Sequence, residues 1–232
     1  MNLSRVLCAA SLAMVASGSA LAQSGSLFVD AKANIFGYGA SAPAPGGGGG
    51  GIVAPVIALS AGTGRTATFF ATGQAGWQSV PVNGPDGGSF SGSTNIPAVG
   101  PISGYNAPLS GHLVGVFIEA GDISALAAPG VISYPNLAAF SQASYSPGLR
   151  QVFFIGDGLT GTGSGSTQVF NVPDGAGFLV LGIADAFGFN AQAGFYGDNV
   201  GGYDVRFEVI PTPGALALLG LGALVVTGRR RS

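Results

Sequence analysis

Short apolar runs separated by turn-forming residues are the feature that most limits the folds open to this chain. Glycine supplies 42 of the 232 residues, and charged residues make up only 8%. Glycine weakens helices, whereas short apolar runs bounded by glycine and proline have the length of strands. No long amphipathic helix is indicated between residues 23 and 210. The pattern therefore predicts an all-β fold.

Alternation of apolar and polar residues is clearest at residues 203–210. Tyr203, Val205, Phe207 and Val209 alternate there with three charged residues. Such alternation predicts a strand with one buried and one exposed face. Further strands are predicted at residues 27–31, 56–61, 65–72, 112–119, 150–155, 167–172 and 177–184.

Two of these segments are apolar on consecutive residues, at 152–155 and 178–181. A strand of this kind is buried on both faces, as in the interior of a two-sheet structure. We therefore expect an antiparallel β-sandwich. Residues 121–148 contain three prolines and are expected to form a long excursion between two strands.

The N-terminal segment, residues 1–22, has the three parts of a secretory signal. Arg5 supplies a positive charge, residues 6–15 are apolar, and Ala20-Leu21-Ala22 resembles a cleavage site. A transmembrane anchor is the alternative, but the apolar run is short for a hydrocarbon layer about 30 Å thick. We expect a signal helix that is removed before Gln23.

The C-terminal segment, residues 211–232, has a second three-part pattern. Pro211-Thr212-Pro213 ends the preceding strand, residues 214–228 form an uncharged apolar run, and Arg229, Arg230 and Arg231 close it. Arginines that follow an apolar segment stay in the cytoplasm, which places the preceding residues outside. The pattern predicts an apolar helix that holds the chain in the membrane, either transiently or as an ordinary tail.

This C-terminal pattern resembles the PEP-CTERM sorting signal. The resemblance covers about residues 210–232 and implies processing by an exosortase-type enzyme during transfer to the cell envelope. Thr212 stands where that family typically has glutamate. We accordingly divide the chain into a signal peptide (1–22), an extracytoplasmic domain (23–210) and a sorting segment (211–232).

Charge and cysteine content narrow the functions of the central domain. Residues 23–210 carry four basic and ten acidic residues, which gives a net charge of −6. Nucleic acid is therefore not an expected partner, because binding phosphates requires clustered lysine and arginine. The single cysteine, Cys8, lies in the signal, so the domain has no thiolate for a disulfide or a zinc site.

No arrangement of residues indicates an active site. His112 is the only histidine, and neither a nucleophile nor an orienting acid lies at a characteristic spacing from it. A glycoside hydrolase needs two facing carboxylates, and no paired motif indicates them. We expect a protein that is not an enzyme.

Oxygen-bearing side chains cluster between residues 182 and 203. Asp185 follows an apolar strand, and Asp198 and Asn199 precede the last strand. Calcium prefers carboxylate, amide and carbonyl oxygens, and one loop can supply all three. The alternative is that these residues are ordinary turn formers.

The string GAGFLVLGIADAFG…FYGDNVGGYDVRF resembles the closing strands of the PA-I type galactophilic lectins, which are small jelly-roll sandwiches. The resemblance implies calcium bound by the side chains of Asp185, Asp198 and Asn199 and by the carbonyls of Phe195 and Val80. In that family the ion also binds two sugar hydroxyls.

Two aromatic residues are candidates for contact with a sugar. Trp77 and Tyr105 offer apolar ring faces with a polar handle. We expect Trp77 to pack in the core, and Tyr105, in a proline-bounded loop, to be exposed.

Together these features predict an exported, envelope-sorted surface protein. Its expected role is a non-catalytic, calcium-dependent carbohydrate-binding module for extracellular polysaccharide. A structural protein of the matrix or surface layer is the alternative, and a glycoside hydrolase is a third.

Overall fold

The computed structural model describes residues 22–37, 49–77, 80–89 and 92–211. Apart from Ala22 and Pro211, the predicted signal and sorting segments lie outside these ranges, and so do the helices predicted there. No helix within the described ranges is long and apolar enough to cross a membrane.

The described residues form an all-β fold, as predicted. Their helical elements are four short 3-10 helices, at Ile35–Gly37, Leu137–Phe140, Phe187–Phe189 and Tyr196–Asp198. The strands are β1 (Gln23–Asp30), β2 (Ala33–Asn34), β3 (Ile52–Val53), β4 (Val56–Ala58), β5 (Arg65–Trp77), β6 (Thr94–Ile96), β7 (Tyr105–Ala107), β8 (Leu113–Glu119), β9 (Ser144–Tyr145), β10 (Val152–Phe154), β11 (Leu159–Gly161), β12 (Ser164–Thr167), β13 (Val169–Val172), β14 (Ala176–Ile183) and β15 (Asn199–Pro211).

A five-stranded sheet contains the longest strands, in the order β1-β15-β5-β13-β9. β15 and β5 pair antiparallel over thirteen residues each, from Asn199 opposite Trp77 to Pro211 opposite Arg65. The predicted alternation of 203–210 is confirmed, since Tyr203, Val205 and Val209 are buried. The strand begins earlier than predicted, at Asn199, and it passes through Gly201 and Gly202 at the positive φ angles, 82° and 158°, that glycine tolerates.

A six-stranded sheet follows the order β10-β8-β14-β2-β3, with β4 also paired to β14. All three residues of β10 are buried, as expected for strands with consecutive apolar residues. Most pairs in the two sheets are antiparallel, but three short ones are parallel: β13 with β9, β14 with β2, and β2 with β3. The predicted antiparallel arrangement is therefore confirmed for most pairs and is wrong for these three short ones.

The two sheets contact each other through the hydrophobic core. The ring centroid of Phe153 in the six-stranded sheet lies 5.6 Å from that of Phe170 in the five-stranded sheet. The predicted excursion at 121–148 contains a 3-10 helix, whose Phe140 stacks on Phe154 with centroids 4.0 Å apart. This segment therefore closes one side of the core. The polypeptide passes from one sheet to the other between β14 and β15, at residues 184–198.

Candidate functional site

The candidate site is the loop of residues 184–198, which we call the crossover loop. It leaves the six-stranded sheet at Ile183 and enters the five-stranded sheet at Asn199. Its two arms are joined at the base, where Gly194 N donates to Asp185 O over 3.0 Å. The loop is thus closed on itself rather than extended over the surface.

Tyr196 anchors the returning arm of the crossover loop. Its buried hydroxyl donates to Ile183 O over 2.8 Å and accepts from Asp185 N over 3.2 Å. Its backbone N–H donates to Gly49 O over 3.1 Å. Gly51, at φ 77°, packs against Tyr196, since a Cβ there would lie 2.8 Å from the Cβ of Tyr196. These bonds fix where the loop's two acidic residues lie.

Asp185 and Asn199 form a buried pair beneath the loop, and each side chain belongs to a residue that is 3% exposed. Asn199 Nδ2 donates to Asp185 Oδ2 over 2.9 Å and to Ala31 O over 2.8 Å. Asp185 Oδ1 accepts from Ala186 N over 2.7 Å. Asn199 Oδ1 is also buried and accepts no hydrogen bond from the described residues.

Burial raises the pKa of Asp185 to about 7, because the ionised carboxyl loses its hydration. The bonds from Asn199 and Ala186 oppose this rise in pKa, and the charge of Asp198 adds to it. The carboxyl of Asp185 therefore gains or loses its proton near neutral pH. In that range a cation would compete with the proton for the carboxylate.

The other predicted calcium ligands differ in exposure, and of them Asp198 is near enough to Asp185 for its charge to raise the pKa of that carboxyl. Asp198 is exposed, and Phe195 is half-buried in a left-handed conformation with φ 69°. Val80 is 58% exposed, and its carbonyl oxygen lies against Gly76 on β5. No group of three or more His, Cys, Asp or Glu residues suited to a metal ion occurs within the described residues.

Of the two predicted sugar-binding rings, one lies by this loop and one does not. Trp77 is half-buried, opposite Asn199 in the sheet, with its ring centroid 5.0 Å from that of Phe189. Tyr105 is 0% exposed, so the prediction that its ring is accessible is wrong. Its segment is not an open loop but strand β7, and Tyr134 N bonds to Asn106 O to cover it.

His112 lies in the core and has no access to a substrate. Its ring contacts Tyr105, Phe140 and Phe154, with centroids 5.0 to 5.7 Å away. Burial lowers its pKa to about 3, so the ring is neutral at physiological pH. His112 is thus a structural residue of the core.

An aromatic pair on the crossover loop was missed by the sequence reasoning. Phe187 is 68% exposed, and its ring centroid lies 5.1 Å from that of Phe195. The resemblance to the lectins implied a role for the carbonyl of Phe195 alone. The signal that could have found the pair is the placement of two phenylalanines beside glycines in a loop that has no apolar periodicity.

Comparisons with known proteins identify no relative. No family model, no curated protein and no solved structure matches the chain.

Proposed function

We propose that this protein is exported, sorted to the cell envelope and displayed there as a non-catalytic carbohydrate-binding protein that engages extracellular polysaccharide. The observation that carries the proposal is the aromatic pair of Phe187 and Phe195, of which Phe187 is exposed, on the same loop as the exposed carboxylate of Asp198. The jelly-roll form of the all-β fold belongs to the same proposal.

The chemistry of a sugar suits this combination of groups. A pyranose ring has an apolar face of C–H groups, which packs on an aromatic ring, and hydroxyls around its edge, which donate to carboxylates. Phe187 offers the first contact and Asp198 the second. The anchored Tyr196 between them keeps the loop in one conformation, which lowers the entropy lost on binding.

Calcium is part of the proposal, with ligands from Asp185, Asp198, Asn199 and the carbonyls of Phe195 and Val80. The donors are all oxygens, as calcium prefers, and the buried Asn199 Oδ1 lacks a partner among the described residues. The Nδ2 atom of Asn199 donates to Asp185, so the side-chain amide must flip before Oδ1 and the Asp185 carboxylate can bind the same ion. When bound, the ion would supply positive charge to sugar hydroxyls.

Export and sorting rest on the sequence of the two ends. Residues 1–22 and the Pro-Thr-Pro, apolar and triple-arginine pattern of 211–232 support secretion, transient membrane anchoring and an exosortase-type partner. Mass spectrometry of the surface-released protein is expected to show loss of the tail near Pro213. Recovery of the protein with Arg229 to Arg231 intact would instead identify a permanent membrane tail.

A structural role in the matrix or surface layer is the second candidate, and a specific observation favours it. Hydrogen bonds within the chain, among Asp185, Asn199 and Tyr196, already fix the crossover loop. A glycoside hydrolase gains no such support. Asp86 and Asp157, which lie together, use carboxyl oxygens to accept backbone N–H groups.

The test is a glycan array probed with the full chain, in calcium and again in chelator. We expect glycan signals in calcium, and we expect Phe187→Ser to lose the signals that depend on calcium. Calcium at a hundredfold excess over its Kd should also stabilise the fold by about 2.7 kcal/mol. Absence of glycan signals under either condition would leave the structural candidate, and a melting curve unaffected by calcium would remove the ion from the proposal.

A further inference from the structure

The side of the five-stranded sheet that faces away from the core is exposed along β1, β15 and β5. We call it the outer face. Opposite residues in antiparallel strands point to the same side, so the pairing registers define three rows of outward side chains. The rows are Ser24, Glu208 and Thr68; Ser26, Arg206 and Phe70; and Phe28, Asp204 and Thr72.

Two large aromatic side chains lie on this face without a partner from the core. Phe28 is 54% exposed and Phe70 is 46% exposed. They belong to adjacent rows on the two strands that flank β15, so strand spacing and rise place their Cα atoms about 12 Å apart. A ligand that contacts both rings must therefore be extended.

A hairpin forms a wall beside the outer face. β5 pairs with the chain just before the hairpin, where Ala71 N donates to Asp157 O over 3.1 Å. The hairpin itself, β11 and β12, contains serine, threonine and glycine but no charged residue. Leu159 and Thr167 line the depression between the hairpin and the sheet.

Two adjoining, open depressions lie on the outer face, and the hairpin lines only the first of them. Their volumes are about 640 and 480 Å³, and they share Ser26, Phe70 and Arg206. Because the depressions are continuous through Arg206, they form one groove across the strands.

Polar groups in the groove are available to a ligand. Arg206 lies between Asp204 and Glu208 along β15, and no hydrogen bond or ion pair engages these three side chains within the part of the chain that is described. Their combined charge is −1, which disfavours a polyanion. The hydroxyls of Ser24, Ser26, Thr68 and Thr72 surround them.

These features distinguish between classes of partner. The centre of a protein–protein interface is expected to be depleted of charged residues, whereas here Asp204 and Arg206 lie on the strand between the two rings. A glycan has apolar C–H faces at intervals and hydroxyls between them, which matches this alternation. We propose that the outer face binds an extended, uncharged oligosaccharide, with Phe28 and Phe70 against sugar rings and Arg206 bonding to hydroxyls. The inference rests on the proposed function, but it requires no metal ion.

The experiment measures binding of the full chain to soluble oligosaccharides of glucose, mannose and galactose, in the presence of chelator. Replacing both rings, Phe28→Ser with Phe70→Ser, is expected to weaken binding about tenfold or more, because both aromatic surfaces that contact sugar rings are lost. Val131→Ser is the matched control, because Val131 is 49% exposed and lies outside the groove. It should bind as the wild type does.

The loop variant Phe187→Ser separates the two sites. If the outer face is the site, this variant keeps the chelator-resistant binding that the double variant loses. Binding that needs calcium, or that Phe187→Ser alone abolishes, overturns the outer-face proposal and leaves the proposed function standing. A wild type that binds no glycan with or without calcium refutes both. A double variant that changes only the sedimentation of the protein identifies the face as a contact between copies and also overturns the proposal.

Discussion

The crossover loop and the outer face both present carboxylates and aromatic rings, but they use them in opposite ways. In the loop, Asp185 is buried and accepts hydrogen bonds from Asn199 and Ala186. On the outer face, Asp204 is exposed and bonds to no other described side chain. The first region uses its polar groups to hold the fold together, and the second leaves them to solvent.

This difference shows that residue type alone does not identify a binding site. An acidic residue that is already bonded must give up those bonds before it can take a ligand, whereas an exposed one gives up only water. The loop is therefore the place where ionisation and stability are coupled. The outer face is the place where substitutions should alter binding without altering stability.

The largest expected effect comes from the ionisation of Asp185. Its pKa is about 7 in the fold, against about 3.9 in an unfolded chain. Because the pKa is raised in the fold, the stability that Asp185 contributes is fully present below about pH 4 and is lost as the pH rises through 7. We expect the free energy of unfolding of the wild type to fall by about 4 kcal/mol relative to Asp185→Asn between pH 4 and 8.

The comparison with Asp185→Asn is needed because His112 acts in the opposite direction. Its pKa of about 3 makes the fold more stable as the pH rises from 3 to about 6.5, the unfolded value. His112 is present in both proteins, so its contribution cancels. Urea titrations across this range give the difference, and parallel pH curves for the two proteins would contradict a raised pKa at Asp185.

The next effect concerns the hydroxyl that anchors the crossover loop. Tyr196→Phe removes the bond to Ile183 O and leaves a buried carbonyl without its donor, which costs roughly 1–3 kcal/mol. Tyr105→Phe is the matched control, because that buried hydroxyl bonds to none of the described residues. We expect the control to leave the urea midpoint unchanged or to raise it. Equal losses in both variants would show that the Tyr196 anchor has no special role.

Much of the fold could be predicted because apolar alternation is a local property. The alternation at 203–210 identified the strand that became the end of β15, and the apolar run at 177–184 overlaps β14. The short strands β6 and β7 were missed, since three residues carry too little periodicity to be recognised. Tyr105 lies in β7, so its exposure was wrongly predicted for the same reason.

The sites depend on contacts that the sequence does not display. Asp185 and Asn199 were correctly predicted to lie at the two rims of one loop, but the direction of the Asn199 amide follows from Ala31 O, which is distant in the chain. The outer face was missed because it combines strands far apart in sequence, with Phe28 and Phe70 on either side of β15. Only the pairing register reveals that these rings share a face.

The smallest expected effect is that of Asp204→Asn on the outer face. The carboxylate is exposed and unbonded to described side chains, so the change in the free energy of unfolding should stay within about 0.5 kcal/mol. This is the same chemical substitution as Asp185→Asn, and urea midpoints at pH 7 compare the two directly. A loss above about 1 kcal/mol would mean that Asp204 holds a structural interaction. The outer face would then resemble the crossover loop, and its carboxylates would not be available to a ligand.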